Sequence, residues 1–144
     1  MTTMLVDIVS SEEQIFSGEA EYIVAPGYEG ELGVYPHHIQ LINRLKPGVL
    51  RVKLPTHDVH LVFAISGGFL EVQGNKATVL ADIVERSDDL DEAKLIEQKK
   101  LAEERIKQST SAMHEDDAKA YAALELIIAQ LKAVEYSNKQ ARRS

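Results

Sequence analysis

The side chains best suited to chemistry are two histidine pairs, His37-His38 and His57-x-x-His60, a serine before two glycines, Ser66-Gly67-Gly68, and many carboxylates. None forms a pattern specific to one reaction. Adjacent residues of an extended segment point to opposite faces, so His37 and His38 do not readily grip one ion. His57 and His60 stand at the start of an alternating apolar run, where they read as a polar turn. Ser66 has no glycine before it at the spacing of a nucleophile elbow, so Ser66-Gly67-Gly68 reads as a bulge or tight turn. There is no phosphate-cradling glycine loop, and no two acids are marked as a general acid–base pair. The chain has no Cys, which removes disulfides, cysteine-rich zinc sites and thiol catalysis together. These residues describe a protein without an active site of its own. The segment Gly30-Glu31-Leu32-Gly33 is more informative: two glycines frame an acid in a turn-like stretch from Tyr28 to Tyr35. An exposed loop on a rigid scaffold is a common place for binding.

The elements that would position these residues divide the chain in two. All 8 Gly and all 4 Pro lie at or before Gly74. Before that point short runs alternate with breakers: Tyr22 and Val24 against Glu21, Ile23 and Ala25; Leu50, Val52 and Leu54 against Arg51 and Lys53; Leu61, Phe63 and Ile65 against His60, Val62 and Ala64. Half-apolar strands with a turn every ten or so residues predict a sandwich or barrel over residues 1–86.

Residues 87–144 predict two helices. Asp89 is the expected N-cap of the first, with Glu92 three residues on as in a capping box, and the helix runs to about Gln108. Ser109-Thr110-Ser111 is the expected turn. The second helix runs from Glu115-Asp116-Asp117 to about Asn138, with a stripe of Leu124, Ile127, Ile128, Leu131 and Val134. The first carries a thinner stripe of Leu95, Ala102 and Ile106, and the two helices are expected to cover each other as an antiparallel hairpin. Such a pair is less stable than the sandwich, so undocking is physically plausible. The fold class expected is α+β.

Charge and hydropathy narrow the function. A net charge of −7 argues against a general nucleic-acid binder. The last stretch is locally basic, with Lys132, Lys139, Arg142 and Arg143 against Glu135, which suits either a helix C-terminus or an acidic partner. No apolar run approaches the roughly 18 residues of a bilayer span. Met1-Thr2-Thr3-Met4-Leu5 does not read as a signal or transit peptide, so a cytoplasmic site is expected.

Gly30-Glu31-Leu32-Gly33-Val34-Tyr35-Pro36-His37-His38, then Leu41 and Lys46-Pro47-Gly48, resembles the epsilon subunit of F-type ATP synthases. So do Ile65-Ser66-Gly67-Gly68-Phe69-Leu70-Glu71-Val72, Thr78-Val79-Leu80-Ala81-Asp82, Asp89-Leu90-Asp91-Glu92-Ala93 and Ala129-Gln130-Leu131. The likeness runs in order from about Leu5 to Glu135. It implies a ten-stranded β-sandwich followed by a helical hairpin. It implies a non-catalytic subunit of the rotating central stalk, bound to the gamma subunit and the c-subunit ring, at the cytoplasmic face of the bacterial inner membrane. The complex makes ATP from an ion gradient, of protons or less often sodium. The C-terminal helices of the family extend to the alpha and beta subunits of the catalytic head and suppress ATP hydrolysis.

Carried over by position, Tyr28, Glu29, Gly30, Glu31, His37 and His38 match the segment that faces the ring and gamma. Lys132, Lys139, Arg142 and Arg143 match the part of the last helix that meets the head. Some bacterial members bind ATP through Ile/Leu-Asp-x-x-Arg-Ala; here Leu90, Asp91 and Lys94 stand in that motif, and Lys94 lacks the planar fork of arginine. No cofactor is therefore required, with ATP the one regulatory ligand the motif allows. The family's common Gly-His-Ala-Pro is His37-His38-Ile39-Gln40, so only His38 matches. The alternatives are a free-standing protein-binding adaptor or a small-molecule sensor.

Overall fold

The computed structural model describes residues 2–108 and 115–143, and the expected turn at Ser109–Ser111 lies outside them. Ten strands come first: β1 (Met4–Val9), β2 (Gln14–Ala20), β3 (Tyr22–Gly27), β4 (Gly30–Val34), β5 (Leu41–Leu45), β6 (Gly48–Lys53), β7 (His60–Ile65), β8 (Gly68–Gln73), β9 (Lys76–Ala81) and β10 (Val84–Arg86). A 3₁₀ turn (Ser87–Asp89) leads to α1 (Glu92–Lys107) and α2 (Glu115–Arg143). This is the expected α+β arrangement of a β-sandwich followed by two helices.

The sheet runs β10-β7-β6-β3-β5-β8-β9-β1-β2, with β4 on β3. Its two halves meet where Gly27 pairs with Leu45. They fold over a shared core in which Ile23, Leu50, Val52, Phe63 and Ile65 of one half meet Val6, Ile8, Leu70, Val72 and Val79 of the other. Period-two burial along β6 and β8 follows from the pleat, which sends alternate side chains to opposite faces. The sandwich departs from a wholly antiparallel one at a single pair, β1 with β9, which run parallel. No hairpin joins these two strands, so turn geometry does not impose an antiparallel pairing on them.

Three local expectations are corrected. The stretch from Gly30 is a strand rather than a loop: Gly27 pairs with Gly30 across the two-residue turn Tyr28-Glu29, and β4 then lies along β3. Gly30 takes a φ of 127°, open to glycine, which allows so tight a reversal. The N-cap of α1 is Asp91, not Asp89. Leu90 is extended after the 3₁₀ turn, leaving the Asp91 carboxylate to accept from Lys94 N at 3.2 Å. Finally, α2 continues past Asn138 to Arg143, where Gln140 is anchored on the sheet.

The helices do more than cover one another. α2 lies on β6, β7 and the 3₁₀ turn, and α1 packs on α2. That layering buries both faces of β7: Phe63 and Ile65 in the sandwich core, Val62 and Ala64 beneath α2.

Candidate functional site

The docking face for α2 follows from strand register. Val49 pairs with Ala64, Arg51 with Val62 and Lys53 with His60, so these side chains share the face turned away from the core. Against it α2 presents Ala133, which packs with Val62, Ala64, Val49, Leu90 and Tyr136. The Leu/Ile stripe expected to dominate α2 is half-buried, while Ala129, Gln130, Ala133 and Val134 are buried. Small residues let the helix approach the strands closely. Polar side chains then fix its position. Gln130 Nε2 donates to Glu85 at 3.0 Å. The Gln140 Oε1 accepts from His60 N at 2.8 Å, and its Nε2 donates to His60 O at 3.2 Å. The His60 ring has Tyr22 Oη at 2.8 Å from Nε2 and Gln140 Oε1 at 3.1 Å from Nδ1. Tyr136 closes the cluster, edge-on to His60 and with the Arg51 guanidinium 4.8 Å from its ring centroid.

His60, offered by the sequence as half of a ligand pair with His57, is thus a docking residue. Among the described residues no three His, Asp or Glu side chains gather into a metal-ligand group. The docking residues Gln130, Tyr136 and Gln140 escape a search for apolar stripes. Their signal is the row Ala129, Ala133, Tyr136, Gln140 at helical spacing, too small and too polar to register as a hydrophobic face.

The second face lies on the other half of the sheet, and Ala122 and Glu125 of α2 line one side of the cleft over it. Register places Arg44, Phe69, Leu80 and Val9 side by side on it, with Ile42 in the next row and Leu5 in the row beyond that. Ile42 is 74% exposed, and Phe69, Leu80 and Leu5 are each about half exposed. The face is mixed: the row of Phe69, Leu80 and Val9 is followed by a polar row in which Glu71, Thr78 and Asp7 pair across the same strands, so its exposed apolar side chains stand among charges.

The residues proposed from sequence are divided by the fold. Tyr28, Glu29, Gly30 and Glu31 sit together at one end of β4, with the Arg44 guanidinium 5.0 Å from the Tyr28 centroid. His37 and His38 lie past the opposite end of β4, about 17 Å away by strand rise. There His37 N donates to Asn75 Oδ1 at 3.1 Å and His38 N to Tyr35 O at 3.2 Å. His37 holds a φ of 64°, the left-handed conformation. Lys132 is exposed on α2, Lys139 pairs with Glu135 at 3.5 Å, and Arg142 and Arg143 are exposed in the last turn. Asp91 caps α1, Lys94 is exposed beside it, and Leu90 packs under α2.

A family model described as the ATP synthase delta/epsilon chain, beta-sandwich domain, matches residues 3–87. A protein named ATP synthase epsilon chain from Chromobacterium violaceum is 51% identical over 141 residues, covering 98% of this chain and 99% of that one. The chain belongs to the ATP synthase epsilon family. A second epsilon chain, from Laribacter hongkongensis, is 48% identical over 94% of this chain and 96% of its own length. Among solved structures, a chain of the Euglena gracilis mitochondrial ATP synthase superposes with a TM-score of 0.80 at 21% identity, covering 93% of this chain and 82% of that one. A chain of the central stalk and c-ring structure from Tetrahymena thermophila gives 0.61 at 13% identity, covering 92% and 97%. These two likenesses concern the fold. The sequence likeness confirms the epsilon-family resemblance across nearly the whole chain.

Proposed function

We propose that this chain is the non-catalytic central-stalk subunit of a bacterial F-type ATP synthase, peripheral at the cytoplasmic face of the membrane. In this reading it links the gamma subunit to the c-subunit ring and restrains ATP hydrolysis through α1 and α2. The observation that carries it is the make-up of the α2 dock. Its sheet side is Val49, Val62 and Ala64 among Arg51, His60 and Glu85; its helix side is Ala129 and Ala133 among Gln130, Tyr136 and Gln140. The sandwich has its own core on the far side of β6 and β7, so α2 can leave without opening that core. Once free, its 29 residues would reach about 43 Å, carrying Lys132, Lys139, Arg142 and Arg143 towards an acidic surface of the catalytic head.

The face carrying the exposed Phe69, Leu80 and Ile42 is the surface offered to gamma, and the Tyr28–Glu31 end is the surface offered to the ring. Among the described residues no helix is long and apolar enough to cross a membrane, which fits a subunit that sits against the ring.

Removing the chain from Leu90 onward tests the reading. The remaining strands should assemble with gamma and the ring, and ATP hydrolysis by the assembled complex should rise. Unchanged hydrolysis in a fully assembled complex would reject the inhibitory role.

A further inference from the structure

Glu31 and Tyr136 are joined through Arg51. The Arg51 Nη2 lies 3.3 Å from Glu31 Oε2, and the guanidinium carbon lies 4.8 Å from the centre of the Tyr136 ring. The Glu31 side chain is 62% exposed, whereas that of Arg51 is 21% exposed, so Glu31 is open to a partner and Arg51 is tucked under α2. Arg51 Nε is buried without a hydrogen-bond partner among the described residues. A cation held over an aromatic face is attracted by the ring quadrupole, and here the Glu31 carboxylate also pairs with the same guanidinium. Moving the guanidinium outward would hydrate Nε at the expense of the ring contact.

We propose that Arg51 couples what Glu31 meets to whether α2 stays docked. A cationic group of a partner arriving at Glu31 competes for its carboxylate. Arg51 then loses its anchor, swings outward to hydrate Nε and withdraws its charge from Tyr136, which loosens α2. The coupling is reciprocal: lifting α2 changes the hold of Arg51 on Glu31, and so the affinity of Glu31 for the cation. What approaches Glu31 rests on the reading above; the coupling inside the chain does not.

The amide of His60 reports docking, because its proton is held by Gln140 of α2. In the full chain, Glu31→Lys supplies the cation permanently and should speed hydrogen exchange at His60 about fivefold, with Glu31→Gln near twofold. Glu29→Lys, in the turn just before β4 and outside the Arg51–Glu31 pair, should leave it unchanged. In an Arg51→Met background, Glu31→Lys should have no further effect. Exchange at the core amide of Leu50 should stay constant throughout, which shows that the sandwich is intact. No rise with Glu31→Lys, a rise that persists without Arg51, or an equal rise with Glu29→Lys would each overturn the proposal. Because the readout is the isolated chain, it stands or falls separately from the hydrolysis test.

Discussion

Gln140, one turn from the end of α2, holds His60 at the start of β7 by both ends of its amide: Oε1 accepts from the His60 N–H at 2.8 Å and Nε2 donates to the His60 carbonyl at 3.2 Å. The two residues are 80 positions apart, and the contact mimics one rung of a β-ladder made by a side chain. It ties the far end of a helix to a strand that belongs to the sandwich core.

Replacing Gln140 by Ala removes both bonds and leaves the His60 backbone groups to water. Docking of the last turns should weaken by about 1 kcal/mol, seen as a several-fold faster exchange at His60. The exchange of core amides such as Leu50 and Val52 should not follow. Equal acceleration across the sandwich would mean that α2 and the sheet open as one unit.

His37 is the one non-glycine residue with positive φ among those described, at 64°, in a turn closed by His38 N donating to Tyr35 O. The left-handed conformation costs an ordinary residue roughly 1 kcal/mol, more when the side chain is β-branched. Glycine removes that cost but loosens the unfolded chain, so His37→Gly should stabilise by only about 0.5 kcal/mol. His37→Val should destabilise by about 1 kcal/mol or more. Denaturant midpoints should rank Gly, His, Val; a Val variant as stable as the parent would contradict the turn geometry.

Asp7 ties three strands. The Ser17 hydroxyl of β2 donates to its carboxylate at 2.7 Å, and Lys76 Nζ of β9 lies 2.9 Å away. The Ser17 bond first, then Lys76, hold the Asp7 carboxyl below its ordinary value of 3.8. A depressed carboxyl adds stability that is complete above the unfolded value and is lost as pH falls through the folded one. The site faces solvent on the sheet surface, so its share is small, about 0.5 kcal/mol. Asp7→Asn should therefore be less stable than the parent at neutral pH, with the gap closing as pH falls through the lowered Asp7 value. A gap that does not vary with pH would assign the effect to packing instead.

The division between local and tertiary information is visible residue by residue. Leu50 and Val52 alternate with Arg51 and Lys53 in the chain, and the pleat alone sends the first pair to the core. Pro36, Pro47, Pro55, Gly67 and Gly74 stand between strands while Gly18, Pro26 and Gly33 lie within them, and the absence of both residue types after Gly74 leaves two long helices uninterrupted. Family resemblance singles out Glu31 as an interface candidate, while its link through Arg51 to Tyr136 is visible only in the tertiary structure. Alternation along β7 predicts one buried face and one open one. Only packing shows that the second face is roofed by α2 through Ala133, or that Ile42, Phe69, Leu80 and Leu5 on four other strands stay exposed. Periodicity records how each segment meets its own neighbours in the chain. Which surface closes over which depends on the match of shape and hydrogen-bonding groups between segments as distant as His60 and Gln140, and no local pattern carries that match.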